Sequence, residues 1–201
     1  MNYLILTMVF VSGFSIMTIE LLGGRILAPF FGGSIYVWGS IITVFMLALS
    51  IGYLLGGRWS LHNANLRRYG SLFGLSAVAI LPLLIWGNDI MEAIFLRFTD
   101  PRYGSLIASM ALFFVPTVIM GMIAPYSVRL LVQSRQSSGM TAGFLYFVST
   151  LGSAAGTLAT SFYLVLYFEM NHILIALMGA LLSAGIGAAL LSITGKLQFN
   201  D

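Results

Sequence analysis

Glu20 and Arg25 are the two side chains of this sequence whose types and placement point most directly to chemistry. They stand five residues apart in the run Thr18-Ile-Glu-Leu-Leu-Gly-Gly-Arg-Ile-Leu-Ala-Pro29, inside or at the outer end of an otherwise apolar stretch. A carboxylate is expensive to hold in hydrocarbon. An acid placed there can bind a cation or a proton, or serve as the counter-charge of a polyamine-like substrate. The structural alternative is a buried pair with Arg25 that fixes helix register. On an ideal helix the two side chains point about 140° apart, so a direct pair needs Gly23-Gly24 to loosen the helix, or partners from other helices. Glu20 shares a face with Gly13, Gly24 and Leu27. Small residues on that face suit close packing, so Glu20 is expected to point into a helix bundle.

Little else in the chain offers reactive groups. There is no cysteine, which excludes disulfides, thiolate metal sites and cysteine nucleophiles. The histidines, His62 and His172, fall in loops expected on opposite sides of a membrane and cannot pair. The sequence therefore assigns no catalytic residue, no metal site and no cofactor. The net charge is +3, but the nine Lys and Arg are scattered, which is not the footprint of a nucleic-acid binder.

The elements that position Glu20 follow from composition. Of the 201 residues, 59% are hydrophobic and 7% charged, and the mean hydropathy is +1.00. A soluble domain carries about 25% charged residues. So few charges cannot cover a surface exposed to water, and the sequence predicts an all-α integral membrane protein forming one transmembrane domain over 1–201. Apolar stretches long enough to span run from about Leu4 to Leu27, Tyr36 to Leu55, Ser71 to Trp86, Leu106 to Val128, Thr141 to Phe168 and Ile173 to Ile193. In the third, Pro82 predicts a kink, with Ile90 to Phe98 continuing as a helix lying at the interface. Met1 to Phe10 lack a basic n-region and a small-residue cleavage site, and the apolar run continues to Ile19, so the first stretch reads as a retained helix.

Basic residues set the expected orientation. Arg58, Arg67, Arg68, Arg129, Arg135 and Lys196 fall on one side and Arg25, Arg97 and Arg102 on the other. The positive-inside rule makes the first side cytoplasmic, with both termini there, as in a prokaryotic cytoplasmic membrane. The chain also divides into two related halves of three spans. Gly52, Gly56 and Ser60 end the second span, and Gly152, Gly156 and Thr160 line the fifth with the same spacing of four. Three-span repeats are a habit of transporter folds, while small residues also simply allow close helix packing.

Three further segments invite both a functional and a plain reading. The loop from Gly52 to Gly70 carries Arg58, Arg67 and Arg68, which can hold the membrane surface or a neighbouring helix end, or simply fix topology. It is not a phosphate-binding loop, because no strand precedes the glycines and no Gly-Lys-Ser/Thr ending follows. Pro116 and Pro125 predict a kinked fourth helix, of an ordinary membrane kind. Tyr146, Ser149, Thr150, Ser153 and Thr157 place hydroxyls along the fifth helix, where their interleaving with Gly143, Gly152 and Gly156 favours helix packing over a polar cavity.

In order and spacing the motifs run Ser12-Gly-Phe, Glu20 with Arg25-Ile-Leu-Ala28, Phe31-Gly-Gly-Ser34 with Tyr36, and Gly52 through Gly56-Gly57-Arg58. They continue with Met120-Gly-Met-Ile-Ala-Pro125, Arg129, Gly143-Phe-Leu-Tyr146, Ser149-Thr-Leu-Gly152 and Gly156. Over nearly its whole length the chain thereby resembles the membrane part of fused proteins that join a major-facilitator-like half to a spermidine-synthase-like domain. It departs from that family at Ser149, where Asn is usual, and at Asn63 or Asn65, which stand roughly where the facilitator loop carries an acid.

The resemblance implies six spans like half of a facilitator fold. It also implies a noncatalytic membrane subunit that anchors or serves a separate spermidine-synthase-like protein. With Asp201 as the last residue, aminopropyl transfer is expected to need that partner's pocket. Arg58, Arg67, Arg68, Arg129 and Arg135 are the candidate docking residues. Two other readings stay open: a small transporter of a cationic or polyamine-like solute, alone or as a homodimer, with Glu20 at its site, and an accessory subunit of a larger membrane complex.

Overall fold

A computed structural model describes residues 2–98, 100–132 and 138–193. The helices are α1 (Asn2–Phe31), α2 (Ile35–Ser60), α3 (Leu66–Arg97), α4 (Pro101–Gly121), α5 (Ile123–Leu131), α6 (Ser138–Ala159), α7 (Val165–Tyr167) and α8 (Met170–Ile193). A π-helical turn, Thr160–Leu164, joins α6 to α7. With α4 and α5 as the fourth span and α6 through α7 as the fifth, six helical segments are long and apolar enough to cross a membrane. The protein is an all-helical integral membrane protein, as composition predicts. Arg135 and Lys196 lie outside the described residues.

Local chemistry accounts for the helix ends. α1 stops where Gly32 takes a φ of 78°, its N–H bonding Ala28 O at 2.9 Å. Asn63, with φ of 50°, turns the chain between α2 and α3, and Asn65 caps α3 by accepting from the Arg68 N–H at 2.8 Å. Asp100 does the same for α4 by accepting from the Arg102 N–H at 2.9 Å, with Pro101 in the first turn. The fourth span breaks at Met122, three residues before Pro125, whose missing N–H leaves the Gly121 carbonyl without its helical donor.

Three expectations are corrected. The helices run past the hydropathy boundaries, α2 to Ser60 rather than Leu55 and α3 from Leu66 to Arg97. α3 is one helix through Pro82, with no separate interfacial helix over Ile90 to Phe98. Proline removes a single helical bond, and the intact turns on either side carry the helix onward. His172 likewise belongs to the first turn of α8 rather than to a loop.

The closest pairings are α1 with α6, α2 with α4, and α3 with α8. Exchanging the first three spans with the last three maps this set onto itself, and the contacts follow the same exchange. A Cβ on Gly52 would overlap the Val118 carbonyl oxygen, and one on Gly56 the Met122 carbonyl. In the other half, a Cβ on Gly152 would overlap the Phe10 carbonyl and one on Gly156 the Phe14 carbonyl. Gly13 lies on the Ser149 carbonyl just as Gly121 lies on Leu49. One constant displacement along the chain relates Phe10, Gly13 and Phe14 to Val118, Gly121 and Met122. Another relates Leu49, Gly52 and Gly56 to Ser149, Gly152 and Gly156. Gly70 and Gly185, in the third pairing, back onto each other. The small residues singled out in the sequence are thus contact points between the halves.

Aromatic side chains fill the space the glycine seams leave. Phe45 and Phe113 pack at 5.7 Å between α2 and α4. Nearer the Arg58 end, Tyr69 stacks on Tyr126 at 5.9 Å and shares a hydrogen bond with Ser127 Oγ at 2.7 Å. At the opposite end Phe31 meets Phe95 edge-on at 5.8 Å, and the Arg102 guanidinium lies 4.7 Å from the Tyr36 ring centre.

Candidate functional site

The seam between α1 and the fifth span is parallel and becomes more polar along its length. The Ser153 hydroxyl reaches Gly13 O at 3.3 Å and Ser149 O at 3.1 Å. Two turns further along the fifth span, Thr160 Oγ1 donates to Thr18 Oγ1 at 3.0 Å, and Thr18 donates to Phe14 O at 2.9 Å. Thr18 and Thr160 are buried and Ser153 is half-buried; of the fifth-helix hydroxyls singled out by spacing, Ser153 reaches across to α1, while Thr157 bonds to Ser153 O in its own helix.

Opposite this part of α1 the fifth span adopts its π-helical turn, closed by the Val165 N–H bonding Thr160 O. The helix then ends at Tyr167, so the Val165 carbonyl has no helical donor of its own. Arg25 supplies one, its Nη1 donating to Val165 O at 2.6 Å. A cation at the carbonyl end of a helix is favourable both as a hydrogen bond and against the helix dipole.

Arg25 and Glu20 therefore do not pair. Among the described residues Glu20 has no hydrogen bond and no ion pair, and it is half-buried rather than enclosed in the bundle as expected. The reason lies in the helix surface. Gly13 fixes which side of α1 meets α6, and Glu20, two turns on, falls on nearly the same stripe. Gly24, one turn beyond, meets the Trp38 ring of α2. Glu20 thus stands between α6 and α2, two helices that flank α1 without packing extensively on each other. Further along this opening Tyr53 of α2 and Tyr146 of α6 lie within electrostatic reach of one another, both exposed. Thr43, Ser50 and Thr150 are exposed on the same two helices. A carboxylate with both oxygens unpaired can accept a proton, a metal cation or an ammonium group.

Of the basic residues expected to dock a partner, the four that are described gather at one end. Arg58, Arg67 and Arg129 are exposed there, while Arg68 is half-buried and donates to the His62 carbonyl. At the other end His172 Nδ1 lies 3.9 Å from Glu169 Oε2, an exposed pair that sequence reading missed because it placed His172 in a loop. The π-helical turn was also missed. The run Thr-Ser-Phe-Tyr-Leu contains no breaker, and nothing in its composition signals an inserted residue. Among the described residues no group of three or more His, Asp or Glu side chains comes together.

The chain matches no protein-family model, no curated protein and no solved structure.

Proposed function

We propose that this chain is a noncatalytic membrane subunit, resembling the membrane half of the fused facilitator-like and spermidine-synthase-like proteins, that serves a separate partner. One observation carries the reading: Glu20 is an unpaired carboxylate in the opening between α2 and α6 of a bundle that spans a membrane. Hydrocarbon holds such a group only at a cost, which a partner, a second copy, a water-filled path or a bound proton relieves. The basic end with Arg58, Arg67 and Arg129 faces the cytoplasm of a bacterial inner membrane by the positive-inside rule, and offers a soluble spermidine-synthase-like protein its docking surface.

The test is recovery of the protein from its native membrane in mild detergent, followed by mass spectrometry of what stays bound. A stoichiometric soluble aminopropyltransferase-like protein is the expected result, and a lone monomer overturns the reading. Several co-purifying membrane proteins would instead identify an accessory subunit of a larger complex.

The same carboxylate favours a second reading, a small transporter of a cationic or polyamine-like solute that works as a six-span unit or a homodimer. Uptake into vesicles abolished by Glu20→Gln at normal protein level supports it. Uptake unchanged by that substitution removes Glu20 from the pathway.

A further inference from the structure

The exchange of halves that relates the closest helix pairings does not extend to every contact. The counterpart of the contact between α4 and α3 is the contact between α1 and α8, yet α4 lies closely on α3 while α1 stands off from α8. The gap is a groove of about 940 Å³, within the size range of small-molecule sites. Its walls are Phe10 and Phe14 of α1, Leu164 of the π-helical turn, and Ile173, Leu177 and Ala180 of α8. The Ser15 hydroxyl, buried in this lining, has no hydrogen-bond partner.

The groove is not apolar throughout. Glu169 and His172 stand at its mouth, and Tyr167, Phe168 and Glu169 also line a second recess of about 510 Å³ that holds Arg25. A long apolar channel therefore opens beside one guanidinium and one carboxylate. Arg25 uses one N–H on the Val165 carbonyl, and a guanidinium carries five. Glu169 is 84% exposed, and among the described residues its one partner is the weak, long pair with His172.

We propose that this groove binds a phospholipid with a primary-amine headgroup, taken from the leaflet on the Glu169 side. One acyl chain lies between α1 and α8 along Phe10, Phe14 and Leu177. The phosphate faces the remaining N–H groups of Arg25, and the ammonium donates to the Glu169 carboxylate. The headgroup choice rests on charge complementarity. A phosphate alone satisfies Arg25, but a headgroup without an amine leaves Glu169 with no more than its long contact to His172, and an anionic one repels it. A quaternary amine has no N–H to donate to the carboxylate.

The test is native mass spectrometry of the full chain, delipidated in mild detergent and then offered equimolar phosphatidylethanolamine and phosphatidylglycerol with identical acyl chains. The expected result is retention of phosphatidylethanolamine over phosphatidylglycerol by about threefold to fivefold, the worth of an exposed charge pair. Glu169→Gln, an exposed change, is expected to bring the ratio close to one. Ala180→Trp, which fills the groove, is expected to reduce retention of both lipids while the circular-dichroism melt stays that of the unsubstituted chain. Equal retention of the two lipids by the unsubstituted chain overturns the headgroup assignment. Lipid retention unchanged in Ala180→Trp, or a dimer that Ala180→Trp abolishes, overturns the groove as a lipid site.

Discussion

The seam between α2 and α4 and the seam between α1 and α6 are built alike and end differently. Both set glycines of one helix against carbonyls of the other, at positions that correspond residue by residue. In the first seam the further polar contact is a single buried hydrogen bond between Ser40 and Ser105 at 3.0 Å. Where that repeat would place a counterpart to Glu20, the chain has Val128. The second seam adds the Thr18–Thr160 bond, the π-helical turn, the Arg25 cap on Val165 and the unpaired carboxylate. What the halves share is the means of holding helices together. What sets them apart is concentrated around Glu20, which makes divergence between the copies a better guide to function than any one residue type.

Substitutions can break or sharpen this comparison. The largest effect is expected at the shared glycines. Gly56→Val and Gly156→Val each force a side chain into a facing backbone, and each should cost about 3 kcal/mol or more, because backbone cannot move aside as a side chain can. Thermal melting and the yield of monodisperse protein would measure this. Sensitivity in only one seam would break the equivalence.

Next, Glu20→Gln should lower partner retention or uptake by about tenfold or more with melting unchanged or raised, since removing an unpaired charge from a half-buried position takes away no native contact. Val128→Gln should leave function intact. Equal functional loss in both would mean that the copies do not differ in role.

Thr160→Val, which deletes the bond to Thr18, should cost about 0.5–1.5 kcal/mol in melting experiments, and Ser105→Ala about as much in the other seam. The smallest effect is expected from Arg25→Gln, about 0.3–1 kcal/mol, from loss of a cation at a helix carbonyl end. No change in melting would show that solvent or lipid already serves the Val165 carbonyl.

Much of the scaffold was legible in the sequence. Six apolar runs gave the spans, and the four-residue spacing of Gly52 with Gly56 and Gly152 with Gly156 marked both seams. The wide angle between Glu20 and Arg25 set the conditions for a direct pair, and the buried-pair alternative does not hold: Arg25 goes to the Val165 carbonyl instead. The helix ends were less legible, because hydropathy falls at Gly57-Arg58 while a helix that satisfies its own backbone has no reason to stop there. The helix also continues unbroken past Pro82 to Arg97, further than hydropathy marked, since the cost of a proline is local and its neighbours remain helical. The partners of Arg25 and the openness around Glu20 depend on which spans meet, and neither spacing nor composition encodes that.

Each of the three closest pairings joins a helix from before residue 99 to one from after it. Neither half holds a complete glycine seam of its own, so the order of synthesis matters. α1, α2 and α3 emerge first and must wait in the membrane, with their backbone-facing glycines uncovered, until their mates are inserted. Glu20 waits with them, although α6 will leave it half-open. Assembly is therefore the interleaving of two ribbons of helices rather than the docking of two finished lobes.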